Sequence, residues 1–132
     1  MTKDSGASVR RWTDVVRRAE LNTTTKLIAL LVASYANADG TSIYPGLDRL
    51  TVESGKGYST VKRTVAWLRR VGLIECVHRP TRTQPFAEYR LTLSNQLGEH
   101  VKVSSPTEHH RAVATAVDAR RQSRAHPDEP SD

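Results

Sequence analysis

The chain has 132 residues, 37% of them hydrophobic and 5% aromatic, which suits one domain with appendages and excludes two full domains. Its net charge is +6, and its single cysteine, Cys76, excludes an internal disulfide bond. The N terminus has no apolar signal region, and the longest strongly apolar run, 27–33, is far too short to cross a bilayer. We therefore expect a cytoplasmic protein that does not enter a membrane.

The positive charge is concentrated in one part of the chain. Residues 56–90 contain eight basic and two acidic residues, whereas the remainder contains twelve of each sign, so this stretch carries the whole surplus. A surplus that is confined to one segment favours a polyanionic partner over an ordinary solvated surface. Nucleic acid is the polyanion that we expect.

A flexible arm and two helices begin the chain. Small polar residues over 1–8 predict the arm, and Ser8 can cap a helix that runs to about Glu20. This helix has an apolar stripe of Trp12, Val15, Val16 and Ala19, and an opposite side of Arg10, Arg11, Arg17 and Arg18. The second helix begins at Asn22 or Thr23 and ends near Asn37, before an Asp-Gly turn. Its predicted buried face is Leu27, Leu30, Leu31, Ser34 and Tyr35.

A glycine turn separates two further helices. Pro45 predicts the start of a short helix over 46–54, whose inward residues are Leu47, Leu50 and Thr51. The glycines of segment 55–57 break it. The next helix covers about 58–71, with Val61, Val65 and Leu68 on its inward line. That phase points Ser59, Arg63, Ala66 and Arg70 outward and puts Lys62 and Arg69 on one flank.

The C-terminal part contains two strands and one more helix. Residues 73–78 and 87–93 read as strands, and the two prolines of 79–86 predict a projecting hairpin loop, or else a plain surface loop. Residues 95–105 are a predicted linker and 106–124 a helix with small apolar residues. That helix has three open interpretations: it packs on the domain, pairs with a second copy, or is half-formed. Residues 125–132 are a predicted disordered tail.

An ordered set of short segments gives the arrangement a family resemblance. The segments are 26–31 (KLIALL), 36–40 (ANADG), 43–45 (IYP), 47–51 (LDRLT), 55–61 (GKGYSTV) and 71–74 (VGLI). Together they resemble the helix-turn-helix domains of bacterial phage and mobile-element replication and regulatory proteins. The match covers about fifty residues, under half of the chain. It departs at Lys56, where the family has an apolar residue, and at Gly57, where the family has a serine cap. Glycine caps a helix nearly as well as threonine, so we expect the helix to persist.

The resemblance and the element order predict a mainly helical fold with a small antiparallel β wing. This winged helix-turn-helix would occupy 9–94, followed by the C-terminal helix and tail. In such domains the second helix of the motif lies in the major groove, and the preceding helix braces it. The predicted DNA-binding residues are Tyr58, Ser59, Thr60, Lys62, Arg63 and Arg70 on the recognition helix, Lys56 and Gly57 in the turn, and His78, Arg79 and Arg82 in the wing.

Each chemical role has a competing interpretation. Arg63 is the best candidate for a bidentate contact to guanine, with Lys62 as substitute, whereas Tyr58 either meets DNA or packs over the turn. Arg69 is expected to meet phosphate or solvent, and Arg10 and Arg11 are weaker candidates for a phosphate contact. Trp12 and Trp67 are interpreted as core residues. Adjacent histidines on a helix point apart, so His109 and His110 predict no metal site, and no cofactor or effector pocket is indicated.

Four functions remain to be separated. The first is a sequence-specific double-stranded DNA-binding regulator of transcription in a bacterium, phage or mobile element, located on the nucleoid. The second is a replication or partition accessory protein of a phage or plasmid. A protein-interaction module is less favoured, because it needs no focused cation surplus. An enzyme is least favoured, because the sequence contains no paired carboxylates, metal set or triad. A homodimer through 106–124 is the only self-association that the sequence suggests.

Overall fold

The computed structural model describes residues 5–123, and its elements follow the predicted order. They are β1 (Ser5–Gly6), α1 (Val9–Arg18), α2 (Thr23–Ser34), α3 (Leu47–Ser54), α4 (Tyr58–Arg70), β2 (Ile74–His78), β3 (Glu88–Leu93), a short 3-10 helix (Leu97–Glu99) and α5 (Pro106–Gln122). The pair α3 and α4 forms the helix-turn-helix, and β2 and β3 form the wing. The predicted fold class, a mainly helical winged helix-turn-helix with a C-terminal helix, is confirmed. The predicted tail at 125–132 lies outside the described residues.

Short polar residues and glycines determine where the helices begin and end. The side chain of Ser8 accepts a hydrogen bond from the amide of Arg11 at 3.2 Å. The side chain of Asn22 accepts one from the amide of Thr25 at 2.8 Å. Gly55 ends α3 with a left-handed φ of 73°. Gly72 follows α4 with a φ of 89°. A Cβ at this position would lie 2.2 Å from the Cβ of Ser94, which directly follows β3, so only glycine fits here.

The core forms around Trp12, as predicted. Its ring is fully buried, and its indole N–H donates to the main-chain oxygens of Leu73 at 2.8 Å and Thr92 at 3.0 Å. These bonds tie α1 to both strands of the hairpin, so the indole satisfies its donor inside the core. The predicted inward line of α4 is confirmed, because its residues Val61, Val65 and Leu68 are all buried. Trp67 is partly buried against the same core.

The predicted buried face of α2 is confirmed only in part, because Leu30, Leu31 and Tyr35 do pack against the core. Leu27 is 36% exposed and Ser34 is exposed, and the other three predicted residues are only partly buried. The residues that are buried are Ile28, Ala29, Val32 and Ala33. Segment 27–33 is apolar on nearly all sides, so its periodicity does not select a face. The packing of α2 against α1, α3 and α4 selects it instead.

The N-terminal arm differs from its prediction as a flexible segment over 1–8. Residues 1–4 lie outside the described part, but Ser5–Gly6 pairs antiparallel with one edge of β3, while β2 pairs with the other edge. Ala7 is buried, and its amide donates to the oxygen of Leu91 at 3.1 Å. Ile43 forms an isolated bridge to Tyr89 on the same edge of β3. Small side chains suit this position because the arm lies directly against the sheet.

The predicted linker at 95–105 is packed on the domain. Leu97 and Val101 are buried, and the amide of Glu20 donates to the oxygen of Lys102 at 2.8 Å. By contrast, none of the α5 side chains is buried, and after the partly exposed His109 every described residue of this helix is exposed. Among residues 5–123, no helix has both the length and the apolar character that crossing a membrane requires.

Candidate nucleic-acid interface

The outer face of α4 carries the predicted recognition residues. Gly57 directly precedes α4, and the buried residues of the helix lie on one side. The other side exposes Ser59, Lys62, Arg63, Ala66, Arg69 and Arg70. Thr60 is partly exposed at the edge of this face. Since Ala66 and Ser59 are small, the long basic side chains around them stand above the helix surface. The geometry of α4 therefore brings four of the predicted residues, Ser59, Lys62, Arg63 and Arg70, onto one ridge.

The cations of this ridge have no acidic partners in the described part of the chain. Lys62, Arg63, Arg69 and Arg70 form no ion pair within residues 5–123, and the same holds for the wing residue Arg79. Their charges are therefore available to a polyanion that approaches the ridge.

The two acids of the basic stretch are engaged elsewhere. The guanidinium of Arg90 donates from Nε to Glu75 Oε1 at 2.6 Å, so this arginine belongs to the wing and not to the free cations. Glu88 lies 3.9 Å from Nε2 of His78 and accepts a hydrogen bond that raises the pKa of Tyr44 above its ordinary value. Glu88 is thus held at the wing, whereas Glu75, although paired with Arg90, remains in the groove between α4 and β2.

The start of α4 offers free backbone amides. Gly57 is the N-cap residue and has no side chain to bond the first turn, whereas Ser8, Asn22 and Ser105 cap α1, α2 and α5. The amides of the first turn, around Ser59 and Thr60, are therefore available to an anion at the positive end of the helix dipole. The predicted role of Gly57 has this physical basis.

Two grooves flank the α4 ridge. The first runs between α4 and the N terminus of α2, and Arg63 and Arg70 face Thr23–Thr25 and His100 across it. The second runs between α4 and β2, and Arg69, Arg70 and Arg79 line it. Each groove thus combines a wall of α4 with basic side chains and one carboxylate, Glu20 in the first and Glu75 in the second. Sequence reasoning missed the α2 N terminus and His100, because their position beside α4 depends on how α2 and segment 97–101 pack.

Several predicted residues lie away from these grooves. Lys56 is partly exposed in the turn, and Arg82 is exposed in the wing loop, but neither lines a groove. Tyr58, 47% exposed, lines an apolar cavity beneath the wing, so its ring faces away from the centre of the ridge. His78 stands at the end of β2, beside Glu88.

The arginines of α1 fall into two groups. Arg10 and Arg11 are exposed. Arg18 is only 14% exposed, because it pairs with Asp14 at 2.9 Å and donates to the oxygen of Ser104 at 2.6 Å. Its hydrogen bond lowers the pKa of Asp14 below the ordinary value. Arg18 therefore fastens segment 97–104 to α1 and is not part of a free basic surface.

Comparison with known proteins supports the motif. Residues 19–74, which include α2, α3 and α4, match the family model of the helix-turn-helix domain. No curated protein and no solved structure matches the chain. The chain thus contains a helix-turn-helix domain, and the matched range includes the whole α4 ridge but ends where the wing begins.

Proposed function

We propose that this protein binds double-stranded DNA with sequence specificity and regulates transcription in a bacterium, phage or mobile element. The observation that carries the proposal is the α4 ridge, an exposed helix whose cations form no ion pair within residues 5–123 and which lies between two grooves that contain arginines. The helix-turn-helix domain at 19–74 supports DNA as the partner. Such a role places the protein on the nucleoid, in the cytoplasm.

The dimensions of the ridge suit a duplex. An α-helix with side chains is about 10–12 Å wide, and the major groove of B-DNA is about 12 Å wide. When α4 enters that groove, the two phosphate backbones pass on either side of it. The two grooves beside α4 carry Arg63 and Arg70 on one side and Arg69 and Arg79 on the other. The width of α4 therefore suits the major groove, and the arginines on both sides of α4 suit the two phosphate backbones.

The residues of α4 divide into readers and anchors. Arg63 stands near the centre of the exposed face, in the N-terminal half of α4, so its planar fork is suited to the O6 and N7 atoms of guanine. Lys62 lies one residue before it and can serve the same base edge. Thr60 and the free amides of the first turn suit a phosphate oxygen. Arg79 and Arg82 extend the contact to the flanking backbone or minor groove.

We further propose that two copies act on one site. A single winged helix reads only a few base pairs, so useful specificity calls for a second recognition helix. On α5, Val113 is 50% exposed and Val117 is 43% exposed, and no described element covers them. Sedimentation velocity of the full chain, with and without a selected duplex, tests this. A monomer on every duplex contradicts the dimer and leaves DNA binding itself intact.

The salt dependence of DNA binding tests the proposed function. We expect about four to six phosphate contacts, hence a slope of log K against log salt of about −4 to −5, because each contact contributes about −0.9. Replacing Arg69 and Arg79 with glutamine removes two cations from one groove and should flatten the slope by about 2. The matched control replaces Arg111 and Arg121, two exposed arginines of α5, and should leave the slope unchanged.

The same titration separates DNA binding from protein interaction. Absence of any salt-dependent retardation of duplex DNA would favour a winged-helix interaction module. An equal loss of slope in both double variants would show that net charge, and not the α4 ridge, attracts DNA. Selection of bound duplexes from a random pool then identifies the site. A replication or partition accessory role would appear as selected sites that cluster at a replication origin instead of at promoters.

A further inference from the structure

A cavity of about 260 Å³, lined mostly by apolar side chains and partly open to solvent, lies between α3, the start of α4 and the base of the wing. Its floor is made of core side chains, including Ile43, Leu50, Val65 and Ile74, all of which are buried. Its upper walls are aromatic rings and prolines, contributed by Tyr58, Tyr89, Phe86, Pro45, Pro80 and Pro85. Flat, rigid walls of this kind suit a flat guest, because rings stack and exclude water without freezing flexible side chains.

The charge of the cavity restricts its guest. Among residues 5–123, no lysine, arginine or histidine lines it, although the whole protein carries a net charge of +6. Asp48, in the first turn of α3, is the one carboxylate among the lining residues that the structure describes, and it is exposed. A carboxylate at the mouth repels an anion, and apolar walls penalise any ion that loses its water. An uncharged molecule is therefore favoured.

The size of the cavity restricts the guest further. An apolar cavity of about 150 Å³ holds benzene. A volume of about 260 Å³ accommodates one ring with substituents or two fused rings. We propose that this cavity binds an uncharged planar aromatic molecule of one or two rings, and that its occupancy strengthens DNA binding. The second half of this proposal rests on the proposed function.

The coupling follows from what the guest would touch. Tyr58 is the first residue of α4, and Phe86 belongs to the wing loop, so both DNA-contacting elements border the cavity. The ring of Phe86 packs closely on Gly46, where a Cβ would lie 2.7 Å from the ring carbons. A guest between Tyr58 and Phe86 holds the wing and the start of α4 in one relative position. DNA then binds a surface that is already ordered, and by linkage DNA strengthens the guest's affinity by the same factor.

The test is a titration of the full chain with indole, followed by methyl NMR in the absence of DNA. We expect saturable shifts at Ile43 and Val65 in the floor of the cavity. Benzoate, a planar anion with as many non-hydrogen atoms as indole, should bind at least about tenfold more weakly than indole. Phe86→Ala removes one wall without opening the core, because this ring is 52% exposed, and should weaken indole binding about fivefold.

Matched variants separate the cavity from general effects. Gly46→Ala pushes against the Phe86 ring while its φ of −64° accepts alanine, so it should weaken indole binding as well. Val52→Ala is the control, because Val52 is 80% exposed on α3 and does not line the cavity. Absence of saturable shifts at the floor methyls, or equal binding of indole and benzoate, would overturn the site.

DNA affinity measured at saturating indole tests the coupling. We expect the dissociation constant for a selected duplex to fall at least about threefold for the unchanged protein and not for Phe86→Ala. Cavity shifts without a change in DNA affinity would overturn the coupling. Since the NMR titration contains no DNA, it reads the cavity even if the proposed DNA function fails, and a failed cavity leaves the salt titration unaffected.

Discussion

Replacement of Arg63 with alanine examines the proposed base contact most directly. Arg63 is exposed on α4 and forms no ion pair among residues 5–123, so its removal breaks no interaction of the free protein. Any loss of affinity therefore comes from the complex. A bidentate contact to guanine contributes about 1–3 kcal/mol of discrimination. That range corresponds to a roughly 5- to 150-fold weaker dissociation constant at the cognate site.

The assay is a fluorescence titration of cognate duplex and of a duplex with the contacted guanine replaced. For Arg63→Ala, both duplexes should bind with similar affinity, because the variant no longer reads that base. Arg63→Lys is the matched control, since it keeps the charge but loses the planar fork. It should retain the salt slope and lose most of the discrimination. Undiminished cognate binding by Arg63→Ala would show that another residue reads the base.

Three further predictions concern the wing, the core and the C-terminal helix. Arg82→Ala should weaken all duplexes alike, as measured by titration of cognate and random DNA, because a wing contact to phosphate carries no base information. Trp12→Phe should lower the free energy of unfolding in urea by about 1–3 kcal/mol, since it removes the donor to two buried carbonyls. Trp67→Phe, a partly buried control, should cost less. At the N terminus of α5, the backbone amide of Ser105 donates a hydrogen bond to the Glu108 carboxylate and lowers the pKa of Glu108. The stabilisation of α5 by this hydrogen bond is complete above the ordinary pKa of glutamate. It is lost as the pH falls through the lowered pKa of Glu108. Helicity of α5, followed by NMR chemical shifts in acid, should therefore decline for the unchanged protein but show no such titration in Glu108→Gln.

Local signals in the sequence are sufficient to predict α4 and the face that it exposes. Val61, Val65 and Leu68 recur at the helical period, and placing them inward leaves only one direction for Arg63 and Arg70. Glycines at 55, 57 and 72 bound the helix for stereochemical reasons that need no partner. The same holds for Trp12, whose size and position on an amphipathic stripe predict a core residue.

Local signals failed where several faces are equally apolar or where a short polar segment gains distant partners. In α2, Leu27 and Ile28 are equally suited to burial, and only packing against α1, α3 and α4 decides between them. The arm at Ala7 and the segment at Val101 look like loose chain, yet both are buried because strand β3 and helix α1 offer backbone partners.

The placement of charge divides in the same way. Sequence alone located the cation surplus in residues 56–90, because the count of charges along a chain does not depend on its folding. Which cations stay available depends on distance, and the tertiary structure assigns Arg90 to Glu75 while leaving Arg69 and Arg79 on either side of one groove. The two grooves beside α4 and the cavity beneath the wing belong to no single segment. They form where elements that are distant in the chain pack together, and the local periodicity of the sequence does not predict such long-range contacts.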